Sequence, residues 1–299
     1  MKNLIAKEFA SGLIFGEGPR WHDGRLYISD MLGERILSFD AEGRQTVVAE
    51  VSNRPNGLAF MSDGTLLYTS MLDGKLYRHK SGGPQLHADI SSLVTGYLGD
   101  MVVDDQGRAY VDDVGARVFE GEPVKPGRLI IVEADGRARI GAEDFAFANG
   151  IAITGDRHTL MVAESIKQIL TAFDLEADGN LAGRRIHADL SKLDLGLPAE
   201  IPRAPDGIAI DAEDGLWVSM PNAGKFVRLD AKGSPTHMVD VGKEHPIACA
   251  LGGADGRTLF MSSSMLAPGS NIFEEMAQKR VRTHILTATV EIAHGKGLP

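Results

Sequence analysis

One phrase occurs six times along this chain, and that repetition limits the possible folds more than any other feature. The copies are "EGPRWHDGRLYISD" (17–30), "NGLAFMSDGTLLYTS" (56–70), "DMVVDDQGRAYVDD" (100–113), "NGIAITGDRHTLMVAE" (149–164), "DGIAIDAEDGLWVSM" (206–220) and "CALGGADGRTLFMSS" (249–263). Each has a polar or small leading residue and, in most copies, a small second residue. A short strand follows, then a turn with Asp or Gly, then a second apolar strand, which in most copies ends in Ser, Asp or Glu. The second residue falls at 18, 57, 101, 150, 207 and 250, so the intervals run from 39 to 57 residues. That is the period of a four-stranded propeller blade.

Further strand-turn-strand pieces fill the gaps at 35–50, 74–89, 127–144, 169–189 and 225–240, as outer hairpins would. Thirty-five glycines supply the turns that so many short strands need. Helical periodicity is nearly absent; "IFEEMAQKRV" (272–281) reads as a short helix or a loop. The strand "RTHILTATVEI" (282–292) is expected to join one near "LIAKEFA" (4–10), closing the ring with no open edge. The expectation is an all-β, six-bladed β-propeller occupying residues 1–299 as one domain.

A net charge of −10 argues against nucleic acid or an anionic membrane as partner, since both need a basic surface. No segment approaches the roughly 20 apolar residues of a membrane span, and no secretory leader is evident at the start. The single cysteine, Cys249, excludes an intrachain disulfide and fits a reducing compartment. A cytoplasmic location is expected.

In a propeller the first strand of each blade lines the axis, so equivalent residues form a ring. The leading residues are Glu17, Asn56, Asp100, Asn149, Asp206 and Cys249; five carry oxygen donors and none is basic. Asx before Gly is also a common turn former, which suffices for any single copy. Three carboxylates around one axis would repel unless a cation or protons neutralised them. Oxygen donors without His or Cys suit one hard divalent ion, Ca²⁺ first, then Mg²⁺ or Mn²⁺, with Zn²⁺ where carboxylates and water complete the shell.

The phrases "GEGP-W" (16–21), "NGIAIT" (149–154), "PDGIAID" (205–211), "GLWVS" (215–219) and "ACALGGADGRTLF" (248–260), in that order, resemble the SMP-30/gluconolactonase/luciferin-regenerating family over nearly the whole chain. The resemblance implies a six-bladed propeller holding one divalent metal on Glu17, Asn149 and Asp206. It also implies lactone hydrolysis, with Asp206 as proton acceptor. Sugar-lactonase members carry Arg-x-Asn-Asp in the third blade, where Arg and Asn hold substrate hydroxyls. Here "GYLGDMVVD" (96–104) places Tyr97 and Gly99 at those positions and keeps Asp100. Losing two donors and gaining a ring should favour a flatter or more apolar lactone.

Asn56 and Asp100 are expected to orient water or substrate, and Tyr97, Gly99 and Arg203 to border the substrate, although Arg203 reads equally as a loop residue. Met31, Met71, Met220 and Met265 end inner strands and would either rim the pocket or pack between blades. Cys249, with no His beside it, reads as a packing residue, and His22 and His158 as turn residues. Two other classes share the metal site: a non-catalytic calcium-binding propeller, and a metal-dependent isomerase or dehydratase. A small-molecule lactone is the expected partner.

Overall fold

Six short strands whose leading residues converge are the inner wall of a six-bladed β-propeller. The computed structural model describes residues 1–80, 82–267, 269–270 and 272–298; Ser81, within the hairpin assigned to 74–89, lies outside them. Among the described residues the strands form six sheets, five of four strands and one of five. The inner strands are Gly16–His22, Pro55–Phe60, Leu98–Val103, Ala148–Ile153, Ile208–Ile210 and His245–Gly252.

The ring closes as the sequence suggests. Lys7–Leu13 pairs antiparallel with Arg282–Thr289, so the outermost strand of blade six comes from the other end of the chain. A detail the sequence did not announce precedes it. Lys2–Leu4 lies parallel to Pro235–Asp240 of blade five, so the first residues bind two neighbouring blades together. At the far end, Leu298 exchanges backbone hydrogen bonds with Ile153 of blade four (2.7 and 2.9 Å), and Ala293 accepts one from Ala212 of blade five (2.9 Å). Of the two readings of 272–281, short helix or loop, the structure shows a helix over Ile272–Ala277.

Six of the seven apolar clusters lie between neighbouring blades. Ile36, Leu58 and Tyr68 join blades one and two; Leu76, Met101 and Ile130 join two and three; Trp217, Cys249 and Leu259 join five and six. Both faces of each blade are therefore covered, which explains second strands such as Leu66–Ser70 and Leu216–Met220 that are buried at every position. The seventh cluster stands apart. It includes Phe15, Met31, Met71, Tyr97, Ile247 and Met276 and faces the mouth of the axis.

The small second residue of the phrase has a steric cause. A Cβ on Gly18 would sit 2.7 Å from the Asn56 carbonyl, one on Gly57 2.7 Å from the Met101 nitrogen, and one on Gly150 2.5 Å from the Ile208 nitrogen. Consecutive inner strands pass backbone to backbone, and only glycine leaves room.

Candidate active site

The acid that ends the second strand of a blade fixes the loop entering the first. Asp30 Oδ1 accepts the N–H groups of Ile14 (2.9 Å) and Phe15 (3.1 Å). Asp113 accepts those of Thr95 (2.7 Å) and Gly96 (2.8 Å), and Glu164 that of Ala146 (2.9 Å). Each anchored loop delivers a residue to the cavity within the next few positions: Glu17, Gly99 and Asn149.

The ladder then slips where those residues stand. Register breaks between Glu17 and Arg20, Pro55 and Leu58, Leu98 and Met101, and Ala148 and Ile151. Bulges of this kind re-aim side chains out of the pleat. In blade five the strand begins only at Ile208, so Asp206 lies ahead of its ladder.

Glu17, Asn56, Tyr97, Gly99, Asn149 and Asp206 consequently line one cavity of about 470 Å³ at one end of the axis. Its walls are apolar, built from residues such as Phe15, Met31, Met71, Phe119, Phe147 and Met276. Phe119, next to Tyr97 (ring centroids 5.3 Å apart), also meets Phe273 of the short helix at 6.1 Å. Asp112, His245 and Asn222 line the cavity as well and were not singled out from sequence. The signal for Asp112 was available: "AYVDD" ends an inner-hairpin strand with two acids, and alternation sends them to opposite faces.

Burial, and then the charges of Asp206, Asp100 and Asp112, hold the Glu17 carboxyl well above the usual carboxylate range. Burial pushes Asp206 up to about 7, against a hydrogen bond from Asn149 that stabilises its charged form. Among the described residues, Asp206 Oδ1 is buried with no hydrogen-bond partner. The Asn56 amide finds only the sulfurs of Met31 (3.8 Å) and Met71 (3.9 Å), both weak acceptors. The Tyr97 hydroxyl donates to Glu120 Oε1 (3.2 Å), so this residue offers the cavity its ring. No three His, Cys, Asp or Glu side chains among the described residues are grouped to hold an ion, so the donor set here depends on the Asn149 amide.

Two residues expected at the substrate are elsewhere. Arg203 is buried with its guanidinium on the carbonyls of Leu197 (3.0 Å), Pro198 (2.8 Å) and Ile201, where it holds its own loop. Asp100 does not line the cavity: its N–H bonds the second strand as that of Gly57 does, so Gly99 holds the ring register in blade three and Asp100 stands one residue past it, where Arg20 Nη2 takes its Oδ1 at 2.6 Å. The methionine rim is half realised. Met31 and Met71 line the cavity, whereas Met220 packs between blades four and five and Met265 is exposed. His22 stacks on Phe60 (centroids 3.8 Å), and burial pushes the Cys249 thiol up to about 12, as befits a packed side chain.

A profile of the SMP-30/gluconolactonase/LRE-like region matches residues 15–265. The chain belongs to this family. A 6-deoxy-6-sulfogluconolactonase of Pseudomonas putida is 23% identical over 256 residues, 84% of either chain. A pentonolactonase of Haloferax volcanii is 27% identical over 254 residues, 83% of this chain and 81% of its own. Among solved structures, a luciferin-regenerating enzyme superposes with a TM-score of 0.80 at 18% identity, covering 97% of each chain, which shows that the fold is shared.

Proposed function

We propose that this SMP-30/gluconolactonase-like protein hydrolyses a small lactone more apolar than a sugar lactone, with Asp206 as proton acceptor and one divalent ion held by Glu17, Asn149 and Asp206. The observation carrying the reading is that these three oxygen donors line one largely apolar cavity, with Asp206 Oδ1 left without a partner among the described residues. The donor set fits a hard ion: all ligating atoms are oxygen, and two carboxyls whose charged forms are disfavoured by burial and by neighbouring carboxylates are what a cation would relieve. An ion there supplies Lewis-acid polarisation of the lactone carbonyl and acidifies a water.

The protein's own groups account for the rest. Asp206 Oδ1 is free to take a proton from the attacking water, while the Asn149 amide fixes the carboxylate. The water oxygen bonds to the carbonyl carbon, the ring C–O bond breaks, and the proton passes to the departing ring oxygen, leaving a hydroxy acid. Asn56 has hydrogens to spare for a substrate oxygen. The faces of Phe119 and Tyr97 suit a flat or alkyl body and keep bulk water out. Glycine at 99, tyrosine at 97 and a guanidinium at 203 occupied by carbonyls leave few donors for a polyol.

The test is a lactone panel assayed with EDTA-treated and ion-restored enzyme. Turnover should vanish on chelation, return with Ca²⁺, Mg²⁺, Mn²⁺ or Zn²⁺, and favour alkyl- or aryl-substituted lactones over gluconolactone. Chelation-resistant turnover would remove the ion from the proposal, and a best rate with gluconolactone would remove the apolar preference.

A further inference from the structure

The cavity holds a carboxyl that the proposed hydrolysis leaves unused. Asp112 is fully buried on the second strand of blade three and lines the cavity. Its Oδ2 accepts the Asp100 N–H at 3.1 Å, while Oδ1 has no partner among the described residues. A buried carboxyl oxygen left unmatched is costly unless a ligand or water completes it.

The same carboxyl explains Gly99. A Cβ built on Gly99 would lie 2.2 Å from Asp112 Oδ1 and 2.8 Å from its Cγ. The Asp112 head group therefore occupies the space into which a side chain at position 99 would start. The family resemblance implies an asparagine at 99 reaching a substrate hydroxyl. Here that position is emptied, and a carboxyl from the neighbouring strand fills the volume.

We propose that Asp112 is a specificity-determining residue that binds one hydroxyl of the substrate on the blade-three side of the cavity. The inference rests on the lactonase reading and narrows its substrate to a hydroxylated lactone with an otherwise apolar body. A hydroxyl suits the site because it both donates and accepts. It can pair with Oδ1 whether or not the carboxyl carries the proton that burial and the Asp100 charge favour. The remaining lining in this quarter, Tyr97, Leu98, Val114 and Phe119, offers no competing donor: the Tyr97 hydroxyl is committed to Glu120.

The experiment compares γ-butyrolactone with its α- and β-hydroxy derivatives in the wild type, Asp112→Ala and Asp112→Asn. Wild-type kcat/KM should favour one hydroxylated isomer by about 10- to 100-fold, the range for one buried hydrogen-bond partner. Asp112→Ala should erase that ratio, chiefly through the KM of the hydroxylated isomer, and Asp112→Asn should retain part of it.

Gly99→Asn alone should lower the melting temperature, because its Cβ meets Asp112 Oδ1. The exchange Gly99→Asn with Asp112→Gly should restore both folding and hydroxyl preference. Binding of the same lactones to Asp206→Asn, with and without Asp112→Ala, reads recognition apart from turnover. An unchanged ratio in Asp112→Ala overturns the role of Asp112 while hydrolysis stands. No turnover but Asp112-dependent binding overturns hydrolysis while the role stands. Neither turnover nor selective binding overturns both.

Discussion

Asp100 and Asp206 stand at the start of inner strands two blades apart but one residue out of step, Gly99 and not Asp100 holding the register of Asp206, and the structure gives the two acids opposite circumstances. Asp100 is salt-bridged to Arg20 at 2.6 Å, with side-chain exposures of 10% and 5%, and that guanidinium also donates to the Met101 carbonyl at 2.8 Å. Asp206 has a single side-chain donor, Asn149, an unpartnered oxygen and a carboxyl pushed up to about 7. A step of one residue in register thus turns a side chain away from the cavity, and the neighbour contributed by another blade sets its chemistry. Arg20 comes from blade one, 80 residues from Asp100, so no local window of sequence contains the pair.

The largest expected effect breaks this comparison on the reactive side. Asp206→Asn keeps the volume but removes the proton acceptor and a charged ligand; kcat/KM on the best lactone should fall by at least about 10³-fold. Circular dichroism and thermal melting should show the fold retained. Hydrolysis at an undiminished rate would mean that Asp206 accepts no proton. On the structural side, Asp100→Asn leaves Arg20 buried beside a neutral amide, and stability should drop by about 3–5 kcal/mol, measured by urea unfolding. A loss near zero would mean that the pair is decoration and Asp100 remains open to a role at the substrate.

The fold was legible because it is written in a repeated phrase whose every part has a local physical cause. Glycine allows strands to abut, an aspartate caps its own turn (Asp211 Oδ1 accepts Glu213 N–H at 2.9 Å), and the terminal acid anchors the loop that enters its own blade. Glu17, Asn56, Asn149 and Asp206 were placed at one cavity by the same register. What remained hidden depends on contacts between blades. Arg203 lies three residues from Asp206, yet its guanidinium serves loop carbonyls. Asp112 is visible as a residue but its meaning needs the 2.2 Å approach to Gly99. The parallel strand Lys2–Leu4 is too short to carry a periodic signal.

A smaller effect sharpens the contrast through pH. In metal-free protein, Asp206 titrates near 3.8 unfolded and about 7 folded, so between these values the native state binds more protons and its stability falls as pH rises. Buried histidines act in the opposite sense: His87, pulled down to about 4, and His245, pulled down by burial, favour the folded state as pH rises. Comparing wild type with Asp206→Asn cancels the histidines. In EDTA the variant should gain melting temperature relative to wild type from about pH 4 to pH 7 and stay ahead above it. Saturating Ca²⁺ should close or reverse the gap. A constant difference across that range would show that Asp206 carries no raised pKa.

The smallest effect concerns the sixth ring position. The structure gives that position to Ile247, which lines the cavity, and not to Cys249 two residues further along, which pairs with Met261 and donates its thiol to the Trp217 carbonyl at 3.6 Å. The slip of blade six falls between Pro246 and Ala248, so Cys249 lies beyond it and packs between blades five and six. Cys249→Ala should therefore leave kcat and KM on every lactone unchanged and cost about 1 kcal/mol of stability for the buried atom removed. A drop in kcat would place the thiol at the cavity and would mean that position relative to the slip is not what separates site residues from packing residues in this ring.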